Sequence, residues 1–136
     1  MCIRDRYQAR VRSLDQQFDD NCLITHPDFR ASGRWYGGCE NGRASGRGYG
    51  VILDGAGKSL EYLGAARNGK PSGVGGLITR EAGRTGAVYF EGRFANGVPD
   101  GVVRVEEPGG RPRIRDFRAG KDVGTGVAGE WQPLTF

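Results

Sequence analysis

Aromatic, small and polar residues alternate along several short stretches of the chain, and each stretch ends at a tight-turn signal. Trp35, Gly37 and Cys39 share one face of an extended segment, because the side chains of a strand alternate between its two faces. Asn41 and Gly42 follow, and this dipeptide favours a two-residue hairpin turn, since both residues tolerate a positive φ. The pattern predicts a β-hairpin.

The same frame recurs as aromatic-x-Gly-x-x-x-Asn-Gly-x-x-x-Gly-x-Gly. Three copies keep all or nearly all of its fixed residues and span residues 35–48, 62–75 and 90–103. The third copy has Val103 in place of the last glycine, and a fourth copy over residues 113–126 keeps only three of the six fixed residues. A frame that recurs every few tens of residues predicts a repeat architecture in which each hairpin packs against the next.

Glycine accounts for 25 of the 136 residues, well above the usual ~7%, and its fixed placement excludes both collagen and simple disorder. In a strand, a glycine lets a neighbouring ring or backbone approach closely. The frame glycines are Gly37, Gly42, Gly46, Gly48, Gly64, Gly69, Gly73, Gly75, Gly92, Gly97 and Gly101. We therefore predict an all-β fold of successive hairpins.

The residues before the first hairpin follow a different pattern. Val11, Leu14 and Phe18 recur at helical spacing among polar residues, which predicts a short amphipathic helix over residues 7–21 that covers the first edge of the sheet. Residues 22–33 carry turn and breaker signals and are predicted to form a loop.

The chain thus divides into four predicted parts, which are residues 1–6, 7–33, 34–127 and 128–136. The third part holds about four hairpins, and the last is a C-terminal tail. The first part, Met-Cys-Ile-Arg-Asp-Arg, resembles the translated end of a sequencing adapter. We expect it to be an artefact on a metagenomic fragment whose true N-terminus is missing; the alternative is the short basic start of a real protein.

The frame resembles that of MORN (membrane occupation and recognition nexus) repeats, whose pattern is roughly Tyr-x-Gly-x-x-x-Asn-Gly-x-x-x-Gly-x-Gly. The second copy carries this pattern in full, in Tyr62, Gly64, Asn68, Gly69, Gly73 and Gly75. The resemblance covers residues 34–126 and implies an elongated, twisted antiparallel sheet of successive hairpins. In the fourth copy, Arg113 and Arg115 replace the aromatic residue and the first glycine, which indicates a degenerate repeat or a capping hairpin.

Charge and cysteine content narrow the function. The net charge of +4 falls to +3 without residues 1–6, because two arginines and one aspartate leave; this is too low for a nucleic-acid binder, and we expect no nucleic-acid partner. Cys22 and Cys39 remain as a pair that fits a disulfide and an oxidising compartment, the periplasm or cell envelope. The pair also resembles that of exported bacterial MORN proteins. Two free thiols in a cytosolic protein are the alternative.

The sequence offers only weak candidates for phosphate-binding, metal-binding or catalytic sites. Gly57-Lys58-Ser59 ends like a phosphate-binding loop, but the glycine required five positions before its Gly-Lys pair is replaced by Ile52. His26, the only histidine, reads as a loop residue rather than as a metal ligand or a base for Cys22. Glu61 and Glu91 read as solvated charges. We expect no catalytic residue, no cofactor and no metal, and hence no enzyme.

The aromatic residues of the frame are the best candidates for recognition. Trp35, Tyr62, Phe90 and Phe94 form a column that either binds a partner or only stabilises a thin sheet. From this column, and from the open edges of a repeat sheet, we expect a non-catalytic module for protein–protein interaction or scaffolding at the bacterial cell envelope.

Two alternatives remain open at this point. One is a peripheral module that binds acidic phospholipid, as the family name suggests; the arginines available for such contacts are Arg43, Arg47, Arg67, Arg93 and Arg118. The other is an accessory region of a larger, truncated enzyme.

Overall fold

Nine strands form one sheet in the computed structural model, which describes residues 19–135. The strands are β1 (Asp19–Ile24), β2 (Gly33–Glu40), β3 (Arg43–Leu53), β4 (Ser59–Arg67), β5 (Lys70–Arg80), β6 (Val88–Ala95), β7 (Val98–Glu106), β8 (Arg113–Arg118) and β9 (Lys121–Thr125). They lie in chain order, and each pairs antiparallel with the next. A single 3-10 turn, Ala128–Glu130, follows. The predicted all-β fold is confirmed.

The helix predicted over residues 7–21 and the start of the loop predicted over residues 22–33 are wrong for the residues that the structure describes. Residues 19–21, expected to end a helix, begin β1 instead, and Cys22–Ile24, expected in a loop, continue it. Val11, Leu14 and Phe18 lie outside the described residues. This segment is extended because its backbone bonds to the turn of the first hairpin, where the Leu23 N–H donates to the Gly42 carbonyl at 3.0 Å.

The predicted tight turns are present in all four hairpins. Asn41, Asn68 and Asn96 have φ values of 54°, 53° and 52°, and a glycine with positive φ follows each of them. In the fourth hairpin Ala119 takes the same conformation, with φ of 50°, which is unfavourable for a residue with a Cβ and no local side-chain hydrogen bond.

Hydrogen bonds join these turns along one edge of the sheet, and we call the four turns the turn row. Each turn glycine after the first donates its N–H to the carbonyl two residues beyond the preceding turn glycine. These bonds run from Gly69 to Ala44 at 3.0 Å, from Gly97 to Pro71 at 2.8 Å and from Gly120 to Pro99 at 2.8 Å. The repeat therefore sets the spacing of the hairpins through their turns.

Frame glycines also line up across the strands. Five of them pair in register from β2 to β6, in the order Gly37, Gly48, Gly64, Gly75 and Gly92. The next position in this line, on β7, is Val103. We call these five residues the glycine row, and it leaves a strip of sheet without side chains.

Aromatic rings of the first two hairpins lie on this strip. A Cβ added to Gly48 would lie 2.4 Å from Cζ2 of Trp35, and one added to Gly75 would lie 2.3 Å from Oη of Tyr62. Each ring also donates a hydrogen bond to the carbonyl three residues later, Trp35 to Gly38 at 2.8 Å and Tyr62 to Ala65 at 2.5 Å. The ring therefore fastens its own hairpin.

The third hairpin shows why its last glycine is dispensable. Phe90 has no donor for such a bond, and it packs against Val103, Val105 and Phe117 instead. Its ring meets Phe117 edge to face, with centroids 6.2 Å apart. A ring that does not lie on the strip leaves room for the valine side chain.

The fourth hairpin replaces the ring with an ion pair. Arg115 lies in register with Val103, and its guanidinium donates to both carboxylate oxygens of Asp122 across the hairpin, at 3.0 to 3.2 Å. Hydrogen bonding from Arg115 holds the pKa of Asp122 below its ordinary value. A charged pair on the last strands also suits a sheet edge, where it opposes pairing with another chain.

Two segments that flank the hairpins in sequence cover part of each face of the sheet. On one face the strap, residues 22–29, packs Ile24 and Phe29 into a core that includes Trp35 and Tyr62. On the other face the tail, residues 127–135, brings Leu134 into a second buried cluster. The single sheet thus gains a partial second layer on each side.

Because the strands of the glycine row pack closely against each other, we predict that Gly64→Ala lowers the free energy of unfolding by about 2 kcal/mol. The added methyl group would lie 2.4 Å from the Gly75 Cα and 2.6 Å from the Val74 carbonyl oxygen. Urea unfolding followed by tryptophan fluorescence measures the change. Gly110→Ala is the control, because its nearest neighbour, the Glu107 carbonyl oxygen, is 3.7 Å away. Equal losses in the two variants would contradict the close packing.

The strained fourth turn predicts that Ala119→Asn raises the free energy of unfolding by about 1 kcal/mol, because asparagine tolerates a positive φ better than alanine. The reverse change, Asn68→Ala, should lower it by a similar amount. Urea midpoints of the two variants and the parent protein measure both effects. A loss of stability in Ala119→Asn would show that the turn has another requirement.

Candidate functional site

The aromatic column predicted as a binding face is mostly the core of the sheet. Trp35 and Tyr62 have no exposed surface, and Phe94 is 2% exposed, because the strap lies over them. Burial raises the pKa of the Tyr62 hydroxyl above its ordinary value, so the group stays a hydrogen-bond donor. Phe90 alone keeps partial exposure. A partner approaching this face would therefore meet Phe90 and not the first two rings.

The strap is held to the turn row mainly through its backbone. The Leu23 and Thr25 N–H groups donate to the carbonyls of Gly42 and Gly69, at 3.0 Å and 2.6 Å. The ring of His26 lies against the third turn glycine, Gly97. Three successive turn glycines are thus contacted by one short segment.

His26 is a structural residue in this arrangement. Its Nδ1 accepts a hydrogen bond from the Asp28 N–H at 3.1 Å, which places the ring proton on Nε2. Burial lowers the pKa of His26, against the opposing effects of the Asp28 carboxylate and the Gly97 backbone. With Nδ1 engaged and the neutral ring favoured, the imidazole helps to hold the conformation of the strap.

A disulfide joins the strap to the first hairpin. It links Cys22 with Cys39, whose Cα atoms are 6.0 Å apart, within the usual range for this bond. Cys22 is fully buried, whereas Cys39 lies on an exposed part of β2. The bond holds the strap at its first contact with the turn row.

An open groove of about 900 Å³ lies at the turn ends of the first three hairpins. Three arginines and two serines line it, together with a single acidic residue among its described lining. These residues are Arg43, Arg67, Arg93, Ser45, Ser72 and Glu40. We call this surface the arginine groove, and its charge favours an anionic ligand.

The three guanidinium groups are available for binding. Arg43, Arg67 and Arg93 are all exposed, and each lies next to a buried residue in its strand, so that alternation directs it away from the face under the strap. Among the side chains that the structure describes, no carboxylate pairs with any of the three. Their hydrogen-bond donors face solvent and are free to bind a ligand.

Glu61 and Glu91, both predicted to be solvated, differ in their burial. Glu61 is partly exposed beside Arg80, at 3.7 Å. Glu91 is fully buried, so the prediction for it is wrong. Its carboxylate accepts hydrogen bonds from the Tyr89 hydroxyl at 2.6 Å and from the Leu134 N–H at 2.9 Å. The tail, which the sequence did not place there, buries Glu91.

The stretch that resembled a phosphate-binding loop is a connection between hairpins. The Asp54 carboxylate accepts hydrogen bonds from the backbone N–H groups of Ala56 and Lys58, at 2.8 and 3.0 Å. Ser59 then opens strand β4 and not a helix. The Lys58 ammonium donates to the Asp28 carbonyl and lies 4.5 Å from the centroid of the Phe29 ring, so it stabilises the strap.

Three further findings bear on function. Within residues 19–135, no three histidine, cysteine, aspartate or glutamate side chains cluster as a metal site requires. In the same residues, no helix has the length and apolar character to cross a membrane. Comparison with family models, curated proteins and solved structures finds no match to this chain.

The lowered pKa of His26 predicts a loss of stability in mild acid. Since the folded pKa lies below the ordinary value of 6.5, the unfolded chain binds the proton first as the pH falls. Stability is therefore level above about pH 7 and declines as the pH falls through about 6.5. His26→Gln, which keeps an acceptor and a donor, should remove this slope between about pH 7 and 5.5, where carboxylates contribute little. An unchanged slope in thermal melts would contradict the assignment.

The disulfide predicts that reduction lowers the free energy of unfolding by about 3 kcal/mol, the value expected for a closed loop of roughly this length. Cys22→Ser/Cys39→Ser should show the same loss without reductant. Alkylation and intact mass give the redox state, with only Cys2 modified before reduction and all three cysteines after it. A melt indifferent to reductant would contradict the role of the bond.

Proposed function

We propose that this chain is a MORN-type repeat protein that binds an acidic segment of a partner protein in the arginine groove, without catalysis. The observation that carries the proposal is the arginine groove itself, where Arg43, Arg67 and Arg93 from three hairpins surround one opening. Guanidinium groups bind carboxylates through paired N–H donors. The groove therefore suits aspartate and glutamate side chains of a partner.

Shape favours a protein segment over a lipid surface. The opening of about 900 Å³ is concave and extends across three hairpins, so an extended chain can enter it and contact all three arginines. A planar layer of lipid headgroups follows a concave surface less closely than an extended chain does. Acidic phospholipid is accordingly the alternative ligand and enters as an outcome of the test.

The assignment to MORN-type repeats is supported by the physical role of each frame position. The aromatic residue fastens the hairpin, the strand glycines make room for it, and the Asn-Gly pair forms the turn. The Cys22–Cys39 disulfide supports an oxidising compartment. We place the protein at the bacterial cell envelope, as a scaffold for its partner.

The arginine groove predicts saturable binding of a fluorescein-labelled (Glu-Gly)₅ peptide, measured by fluorescence anisotropy. Replacing Arg43, Arg67 and Arg93 with glutamine should weaken binding at least about tenfold, because each exposed ion pair contributes up to ~1 kcal/mol. Affinity of the parent protein should also fall as salt is raised.

The matched control replaces Arg30, Arg111 and Arg118 with glutamine, which gives the same net charge but leaves the groove intact. This variant should bind the peptide like the parent protein. Equal losses in both triple variants would contradict a specific groove. Binding to phosphatidylserine vesicles that depends on Arg43, Arg67 and Arg93, with no binding of the peptide, would favour the lipid alternative.

A further inference from the structure

A second groove opens on the strap-covered face, directly beyond the end of the strap. It encloses about 270 Å³, and we call it the apolar groove. Its floor is formed by Leu77, Phe90, Val98, Pro99 and Phe117. Leu77 and Phe117 are buried, whereas Phe90, Val98 and Pro99 keep partial exposure. The end of the strap lines one side of this groove, through His26, Asp28 and Phe29, and leaves the apolar floor uncovered.

The strap shows how this face binds an extended chain. Alternate strap residues Cys22, Ile24 and His26 are buried against the sheet, while the N–H groups between them bond to the turn carbonyls of Gly42 and Gly69. Side chains thus enter the face at every second position. The backbone supplies the hydrogen bonds, as when a strand is added to a sheet edge.

The strap ends before the last turn. The Phe29 N–H donates to the His26 carbonyl at 3.0 Å, and this turn leads the chain away towards β2. The fourth turn glycine, Gly120, continues the turn row, since its N–H bonds to Pro99 as the earlier glycines bond to their neighbours. Within residues 19–135, no group donates to the Gly120 carbonyl, and Gly120 lines the apolar groove.

We propose that the apolar groove binds an extended, uncharged segment of a partner protein. One aliphatic or aromatic side chain of that segment lies on the exposed surface of Phe90 and Val98, and a backbone N–H donates to the Gly120 carbonyl. The segment thereby extends the pattern of the strap by one turn. This site is separate from the arginine groove, so it does not depend on the function proposed above.

The charged residues around the opening of the apolar groove, which we call its rim, explain the preference for an uncharged segment. Asp28 and Glu81 are acidic, Lys58 is basic, and His26 is neutral. The Lys58 ammonium is already engaged by the Asp28 carbonyl and the Phe29 ring. The Glu81 carboxylate is paired with Arg84 at 3.5 Å, so Asp28 and Lys58 are left with opposite charges and the rim has little net charge. It therefore attracts neither an acidic nor a basic chain, and the apolar floor supplies the affinity.

The test uses the full chain labelled with ¹⁵N and the capped peptide N-acetyl-Thr-Leu-Thr-Phe-Thr-amide. Saturable shifts at the amide resonances of Val98, Phe117 and Gly120 are expected, with a Kd below about 1 mM. Val98→Lys, which places a charge on the partly exposed floor, should weaken binding at least tenfold. Val127→Lys, at a valine that is 62% exposed and is not part of the groove lining, should bind like the parent protein.

Other outcomes are distinguishable. Equal binding by Val98→Lys, or no saturable shift in this range, would overturn the proposal. Shifts confined to the amides of Leu23 and Thr25 would show that the peptide displaces the strap instead. Sedimentation that reveals a dimer, with these resonances shifted on dilution, would assign the groove to a second copy of the chain. Unchanged binding by the variant lacking Arg43, Arg67 and Arg93 separates this site from the arginine groove.

Discussion

An aromatic ring can lie flat on a two-stranded hairpin only where the facing strand has no side chain, and this constraint organises the sheet. Trp35 and Tyr62 lie on Gly48 and Gly75, and each donates to a carbonyl of its own strand. The bonded carbonyls of Gly38 and Ala65 lie where the hairpin register shifts. The ring and the glycine therefore form one unit. The third hairpin keeps the register shift, between Gly92 and Phe94, but loses the last glycine together with the ring's hydrogen-bond donor.

A single sheet must also cover its two faces, and here the segments that flank the hairpins do so in part. The strap covers the ring-bearing face, and the tail covers the other, where the Trp131 indole donates to the Glu91 carbonyl at 2.7 Å. These covers are short, and two of the open surfaces that they leave differ in chemistry. One is the arginine groove beside the turn row, and the other is the apolar groove where the strap ends. We therefore expect partners to bind at the parts of the sheet that the strap and the tail leave uncovered.

The sequence predicted the features that depend on neighbouring residues. Positive φ at Asn41 is a local property, and it was recovered, as was the all-β fold. The shared face expected of Trp35, Gly37 and Cys39 was not, because the register shifts between Gly37 and Cys39 and leaves Cys39 exposed. The burial of Glu91 was not, because it depends on Leu134, 43 residues away, in a tail without periodic pattern. The extended strap escaped prediction for a similar reason, since its conformation depends on carbonyls of distant turns. The arginines were recognised individually, but their convergence on one groove requires the stacked hairpins.

The most direct test of the ring-on-glycine unit is a double-mutant cycle between Tyr62→Leu and Gly75→Ala, with free energies of unfolding measured in urea. The three atoms nearest to a Cβ on Gly75 all belong to Tyr62, so the shorter leucine should make room for the added methyl group. The account predicts that Gly75→Ala costs about 2 kcal/mol in the parent protein and close to nothing beside Leu at position 62, a coupling well above the ~0.5 kcal/mol expected of independent sites. Additive losses would contradict it.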